Sequence, residues 1–514
     1  MHGHALKGHR KVRGDAPTCQ TPRSGHCTPG LEGVRRVRDR CYPSEAVRTP
    51  AKQSSLRPTT IGRALDRARA TVGGLSIADR LLLVAGSLAV LGSFALRIRT
   101  IGQPLIEAHA WRQTQTAYTA LIYHREGINL LQTPLPVFGP PWVVPFEFPL
   151  FQAIAARVMD IGVSTEIALR STSLFFFAVS AALLWGIVRH EVDTRTALLA
   201  VAAFALAPLG LLWSRTSLVE TIAVAAVLAS ILEALRWERS GSRVDFGIAL
   251  AMGALAALLK ITTAAIWLAP AVFLLRRSRV ASIVLVATAA GVGLAWTGYT
   301  DTIKAASPAT AWLTSGALRD WNFGTLAQRL DLATWRVAFT RWLPGLGLVV
   351  FIAPFVVWRS RIGVWALATL LLGPLVFTNL YFIHDYYWMA VAPAAAILIG
   401  QVGDRALRVR APVRRGASVA ILIGLFALSF AVYPRWILML RPGQGVGILQ
   451  RAAQIRNATT PDDLVAIDGY GWSTELLFYA DRRGYMMDPN VPPAPPGYIH
   501  FKCQTGARGE CIRQ

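Results

Sequence analysis

From residue 79 onward the chain alternates apolar runs with short polar junctions. The runs lie at about 79–99, 167–188, 195–213, 217–235, 246–259, 261–275, 280–299, 343–358, 362–381, 386–403 and 417–436. About 20 apolar helical residues cross a bilayer core, so the pattern predicts about eleven transmembrane helices. The two runs between 246 and 275 are short, and one kinked helix is the other way to read them. Every second junction is basic: RHEVDTR, RWERSGSR, RRSR, WRSR and RALRVRAPVRR. The junctions between them, WSRTSLVE, LLKIT, the stretch from DTIKAASP to FTRW, and YFIHDYY, are less so. Lysine and arginine stay on the cytoplasmic side of a bilayer. The alternation therefore predicts a multi-pass protein of the plasma (inner) membrane, with a cytoplasmic N-terminus and everything after Trp436 extracytoplasmic.

Composition agrees with this reading. The chain is 53% hydrophobic and only 16% charged, with a mean hydropathy of +0.41, unlike a soluble protein of this length. The net charge of +24 falls mostly in the leader and the junctions, so it reads as a topology signal and no nucleic-acid partner is expected. Residues 1–75 are rich in Arg, His, Gly, Ser and Pro without an apolar period, which predicts a disordered basic cytoplasmic leader. It is not a secretory signal, because the first apolar run begins too late. Residues 76–436 form the predicted membrane domain, and 437–514 a small extracytoplasmic domain. In the latter, DLVAIDG and LLFYA are short runs for a small α/β lobe, and NVPPAPPGY is an extended segment. Cys19, Cys27 and Cys41 match no zinc spacing. Cys503 and Cys511 either pair, if that end is extracytoplasmic, or remain two free thiols.

The long first outer loop holds the densest chemistry. EAHAWRQTQTA (107–117) places Trp111, Thr114, Tyr118, Leu121 and Ile122 at helical spacing, which predicts an amphipathic helix along the membrane surface with Arg112, Gln115 and Thr119 on its polar side. Glu107 and His109 precede it, where a helix N-terminus favours negative charge. An interfacial Trp and Arg anchor is the plainer reading of the stretch. Downstream, PLPVFGPPWVVPFEFPLFQ carries one acid, Glu147, among aromatic residues, where a carboxylate is costly unless it is partnered or lines a wet cavity. Lys260 interrupts an apolar run at a predicted outer end, and His384 and Asp385 open the HDYY turn ahead of Tyr386 and Tyr387. Arg215, Glu220 and Arg341 fall on the same predicted face. Each of these also has an interfacial or structural reading, snorkelling for Lys260 and anchoring for the tyrosines.

An acid followed by HAWRQTQTA, the EFPL segment opening a second surface helix, the LLK break and the late HDYY turn together resemble membrane glycosyltransferases of the GT-C fold. The similarity is greatest to the bacterial group of protein O-mannosyltransferases and lipid A aminoarabinose transferases. It covers about 80–436, and the segment 452–488 resembles the small extracytoplasmic piece many such proteins carry. It implies an all-α polytopic membrane protein of GT-C type, with surface helices in the first outer loop and a small α/β C-terminal segment. It further implies an inverting glycosyltransferase that moves a hexose or pentose from a polyprenyl-phosphate donor to a hydroxyl on a lipid, glycan or protein acceptor. Glu107 matches the position of the family's acid, whereas many relatives have two adjacent acids where this chain has Glu107-Ala108, and Glu147 stands where a histidine is common.

On that reading a carboxylate, Glu107 first and Glu147 second, takes the acceptor proton. Lys260, His384, Asp385, Tyr386 and Arg341 meet the donor phosphate or sugar, with Asp385 orienting His384, while His109, Trp111, Arg112 and Gln113 form the acceptor loop. No close-spaced metal signature is present, although Glu107, His109, Glu147 and Asp385 include suitable ligands for a divalent ion. The rival class is a multi-span transporter or flippase, which would place ionisable residues near the middle of spans. A non-catalytic scaffold is the third reading.

Overall fold

The computed structural model describes residues 77–441, 445–504 and 509–514; the expected disordered leader lies outside them. Most of the polypeptide is helical. The helices that carry the site are α1 (Ile77–Ile98), α2 (Ala110–Glu126), α3 (Leu150–Met159), α4 (Thr165–Glu191), α5 (Thr194–Leu206), α6 (Glu220–Ser240), α7 (Arg243–Leu268), α8 (Arg279–Ala305), α9 (Arg361–Val376), α10 (Ala392–Leu407) and α11 (Pro412–Val432). Among the described residues, five helical stretches are by length and composition alone long and apolar enough to cross a membrane: α4, α8, α11, Asp385–Leu407, which contains α10, and α7, whose length is divided by a break at Lys260. The other apolar helices, including α5 and α9, are shorter.

The five basic junctions meet at one end of the helices. Arg361 binds Glu191 at 2.5 Å and Glu238 at 3.1 Å, the Arg276 amide donates to Glu238 at 3.0 Å, and Arg408 pairs with Asp404 and with Asp193. Aspartate and serine caps start the helices there: Asp193 accepts from the Thr196 amide, and Ser242, Ser278 and Ser360 each accept from an amide three residues on. Such caps satisfy backbone donors that have no helical partner.

The helix α7 departs from a straight rod at Lys260, whose φ of −164° and ψ of 95° are non-helical. A Cβ on Gly253 would lie 3.4 Å from Leu268, yet 15 residues of straight helix span about 22 Å. The chain therefore folds back on itself at Lys260, and both arms return toward the end where the basic junctions gather. Small residues permit this close approach, with Gly293 of α8 seated against Ala257 and Ile261 on either side of the break. The break frees the carbonyl of Leu258, which accepts from the Phe148 amide of the first loop at 3.1 Å.

The C-terminal residues build a four-stranded sheet from β1 (Val465–Asp468), β2 (Gly484–Met486), β3 (Ile499–Cys503) and β4 (Cys511–Arg513), in the order β2-β1-β3-β4. β1 is parallel to both neighbours, and β3 and β4 are antiparallel. Cys503 and Cys511 face each other in that last pair and form a disulfide. The lobe is joined to the first loop through backbone. Gly484 and Met486 donate to the carbonyls of Pro136 and Val137, and Gly139 donates back to Gly484. Residues 133–135 and 142–144 form a short antiparallel ribbon beside this seam, with Leu135 donating to Trp142 and Val144 to Thr133.

The helix expected from Trp111 onward is present as α2, but its polar side is not turned to bulk water, and Arg112 and Gln115 line an internal cavity instead. Gln113, Thr114, Gln115, Thr116 and Thr119 are all buried. The lobe lies over α2: Thr114 bonds Thr474 at 2.6 Å and the Tyr118 hydroxyl donates to the Arg482 carbonyl at 2.7 Å. A helix covered on two sides has no free polar face, which the periodicity of one segment cannot reveal.

Candidate active site

Glu107 sits three residues before α2 and is closed in. One carboxylate oxygen accepts from Arg170 at 2.7 Å and the other from Arg215 at 2.5 Å. Both guanidiniums are fully buried, and both also donate to the Thr100 carbonyl. The trio ties the start of the first loop to α4 and to the 213–220 turn. Glu107 therefore does not open into the cavity as expected from sequence, because both of its oxygens are committed. Gln113 is likewise structural: its amide donates to the Ala108 carbonyl and its oxygen accepts from the Ser217 amide.

A cavity of about 510 Å³ lies between α2, the end of α8, the 312–322 loop, the HDYY turn and the lobe. Trp111, Arg112, Glu147, Lys304, His384, Tyr386 and Tyr387 line it. Trp312, Trp321 and Trp472 complete an aromatic wall, with Trp472 edge-on to Trp111 at 5.2 Å and to Trp312 at 5.8 Å. Arg112 divides its guanidinium between Glu147 and the Gln115 side-chain oxygen. Burial alone would push the Glu147 carboxyl up, but Arg112 and Lys260 outweigh it and hold the group below its ordinary range. Glu147 is thus the carboxylate that the cavity sees, and it is ionised at neutral pH.

His109 adopts a left-handed conformation (φ 51°) at the start of α2, which aims its ring across to the HDYY turn. Its Nε2 lies 3.1 Å from Asp385 Oδ1. The other Asp385 oxygen accepts from the Tyr433 hydroxyl at 2.7 Å and lies 3.2 Å from Arg435 Nε. Asp385 therefore orients His109, and not His384 as the adjacency in sequence suggested. The His384 ring stacks on Tyr386 at 5.3 Å and stands edge-on to His109 at 5.1 Å. Its Nδ1 has no hydrogen-bond partner within the protein. Burial first, and then the neighbouring His109, push the His384 imidazole down to about 3, so it is neutral.

Lys260 has the anionic partner that its burial demands, Glu220. It lies 4.2 Å over the Tyr387 ring and supports the cavity wall from behind. Arg341 is not brought into the site: it is exposed and rests on Trp342 at 4.5 Å. Arg435 lies 5.5 Å from the same Trp342 ring and takes the place by Asp385. Lys304, which pairs with Asp301 at 2.9 Å, was missed from sequence, although its position one turn past an apolar run marks an outer helix end. The cavity tryptophans at 312, 321 and 472 carry no such signal, since interfacial tryptophan is common. Among the described residues, no group of three or more His, Cys, Asp or Glu is placed to hold a metal ion.

A family model described as dolichyl-phosphate-mannose-protein mannosyltransferase matches residues 143–298, a stretch that includes Glu147, Arg170, Arg215, Glu220 and Lys260. No curated protein matches the chain by sequence. Among solved structures, ArnT from Cupriavidus metallidurans, bound to undecaprenyl phosphate, superposes with a TM-score of 0.55 at 13% identity, covering 81% of this chain and 92% of ArnT. The chain has the GT-C fold. The apo oligosaccharyltransferase of Archaeoglobus fulgidus is also similar, with a TM-score of 0.50 and 13% identity over 80% of this chain and 64% of that one. Within this GT-C fold the described cavity lies at the ends of the helices remote from the basic junctions. That places the Arg112–Glu147 pair, Lys304 and the aromatic wall together on one side.

Proposed function

We propose that the protein is an inverting membrane glycosyltransferase that moves a sugar from a polyprenyl-phosphate donor to a hydroxyl acceptor on the extracytoplasmic side of the plasma membrane, with about eleven crossings and its basic junctions in the cytoplasm. The observation that carries this reading is one cavity holding an ionised carboxylate, two cations and a tryptophan wall at the helix ends opposite the arginine-rich junctions. The disulfide at Cys503–Cys511 supports an oxidising compartment for that end. Lipid-linked phosphate in ArnT and the name of the matching family model support the donor class.

In the proposed reaction Glu147 accepts the acceptor hydroxyl proton as that oxygen bonds to the anomeric carbon, an effect worth roughly 10²- to 10⁴-fold. The bond from the anomeric carbon to the phosphate oxygen breaks, and its electron pair leaves with the lipid phosphate. Lys304 meets the charge that develops there, while Arg112 stays with Glu147. Neutral His384 and the Tyr386 and Tyr387 hydroxyls offer hydrogen bonds to sugar or phosphate. The tryptophans give apolar faces for a sugar ring. Glu107, with Arg170 and Arg215, fixes the loop that presents Arg112. Mass spectrometry of the membrane fraction with and without the protein, searching extracytoplasmic lipids, glycans and proteins for a missing hexose or pentose, tests the activity. Solute uptake into vesicles by the purified protein, with no glycosylated product, would overturn it in favour of a transporter.

A further inference from the structure

On the far side of the 133–135/142–144 ribbon from the Arg112–Glu147 pair lies a separate cleft of about 260 Å³, between the last turn of α2, the ribbon and Arg483 of the lobe. Strand alternation divides the two sides: Thr133, Leu135 and Val144 border the space beside Arg112 and Glu147, whereas Gln132, Pro134 and Val143 border the cleft. Arg112 and Glu126 stand at opposite ends of α2, about 21 Å apart at 1.5 Å per residue. An occupant of the cleft is therefore not the group that reacts beside Glu147. Trp142 gives the cleft its character. It ends the turn between the two strands at a φ of 66°, in the left-handed region where a bulky side chain is an outlier. Gly139 takes the other positive φ of that turn, 77°, which glycine adopts without strain. A glycine at 142 would make the same turn more easily, and strain of this kind gathers at ligand sites. The indole is not there to fill the core: Trp142 is half-buried, packs with neither buried hydrophobic cluster of the described residues, and lines the cleft.

We propose that this cleft is a second saccharide site, which takes one neutral sugar ring with an apolar face on Trp142 and hydroxyls on Gln132, Glu126 and Arg483. Glu126 and Arg483 pair with each other, so the lining carries no net charge and a phosphate or a free cation finds no uncompensated partner. The pair still has lone pairs and N–H groups to spare, and exposed Gln132 both donates and accepts. An aromatic face beside planar polar side chains suits a molecule with C–H groups on one side and hydroxyls at its edge. The volume falls below the range of about 300–1,000 Å³ for drug-sized ligands, which fits a single ring. An extended peptide is a poorer match, because Pro134 and Pro136 offer no amide N–H for it to pair with. The walls are also formed in advance. The prolines stiffen one side, and Arg125, which binds Asp481 at 2.6 and 3.0 Å, clamps the end of α2 to the lobe, so little ordering opposes binding. The site binds sugar whether or not the transfer proposed above takes place.

The test is saturation-transfer NMR on the full-length protein in lipid nanodiscs, free of sugar-based detergent, titrated with neutral methyl hexopyranosides and methyl pentopyranosides. Saturation of at least one glycoside is expected in the unaltered protein. It should persist in Trp472→Ala, whose missing ring belongs to the larger cavity. Trp142→Gly should weaken binding about tenfold, the loss of one aromatic contact, without lowering the thermal midpoint, because glycine relieves the turn. Gln132→Ala, a change at an exposed side chain, should weaken binding by a smaller factor and leave the midpoint where it was. No saturation in the unaltered protein overturns the proposal. A signal that Trp142→Gly leaves unchanged, or that Trp472→Ala abolishes, assigns the sugar to the larger cavity and overturns it as well. A Trp142→Gly midpoint several degrees lower would make the indole a packing residue, with the same consequence. Binding of a proline-rich peptide that Trp142→Gly abolishes, with no glycoside signal, would give the cleft to a protein partner instead.

Discussion

Replacing Glu107 by glutamine separates a loop anchor from a catalytic base. The substitution keeps the shape and removes the charge that two fully buried guanidiniums share, at 2.7 and 2.5 Å. Two unit charges about 4 Å apart interact by ~4 kcal/mol at an effective dielectric of ~20. Removing one partner of a buried pair costs about 3–5 kcal/mol, because the charge left behind stays desolvated. Here that charge is two arginines, and the amide offers one acceptor oxygen for both. In a domain of 150–250 residues each kcal/mol moves the thermal midpoint by about 2–4 °C, so even diluted over a larger chain the fall is several degrees. The assay is intrinsic fluorescence during heating of detergent-solubilised protein, with transfer measured on the same preparations. Glu147→Gln is the counterpart, because Glu147 and Arg112 border a cavity that admits water. Its midpoint should stay near the unaltered value while transfer falls about 10²- to 10⁴-fold. A Glu107→Gln protein with an unchanged midpoint and no transfer, beside an active Glu147→Gln protein, would refute the assignment.

Lys260→Met leaves Glu220 buried without its partner, so it should destabilise strongly, and adding Glu220→Gln should restore part of the loss. A double-mutant cycle in thermal unfolding is expected to give a coupling of about 1–3 kcal/mol, and additivity would deny the pair any role. The folded-state pKa of His384 is depressed to about 3, so between 6.5 and about 3 the unfolded chain binds a proton that the folded one does not. Stability tied to this ring is therefore full above 6.5 and lost as pH falls, by about 2 kcal/mol at pH 5. His384→Asn should flatten that part of the midpoint-against-pH curve. Serine at both Cys503 and Cys511 should weaken the lobe by about 2–3 kcal/mol, the value for a loop of this length, read as faster limited proteolysis of the C-terminal segment. Trp472→Ala removes one wall of the cavity and should raise KM for the donor or acceptor with a smaller effect on the thermal midpoint.

The membrane character of the chain and the one-sided gathering of its arginines were legible because both follow from periodicity and charge, which a linear sequence displays. The reversal at Lys260 was also visible, as a charge between two short apolar runs that needs a partner. The partner itself was not, since Glu220 lies 40 residues away on another helix. The same limit explains Glu107 and Glu147. Both are acids in one loop, and only the positions of Arg170, Arg215 and Arg112 in space decide which is locked and which faces the cavity. Asp385 was assigned to its neighbour His384, but at a turn adjacent side chains diverge, and His109 reaches it from 276 residues away. Arg341 was grouped with the site by topology, yet the π-helix through 338–342 leaves it exposed, a property of backbone conformation that composition does not encode.

The seam between the first loop and the lobe bears on how the protein is made. Tyr118 meets Arg482, and Phe138 bridges to Tyr485, across almost 350 residues or more. A ribosome delivers the loop long before β2 exists. During that interval the Trp111 side of the cavity lacks Trp472, and the polar side of α2 lacks its cover. A nascent chain therefore has no complete cavity until its last helices and the lobe have been made, so under the proposed function chains arrested partway through synthesis would transfer no sugar.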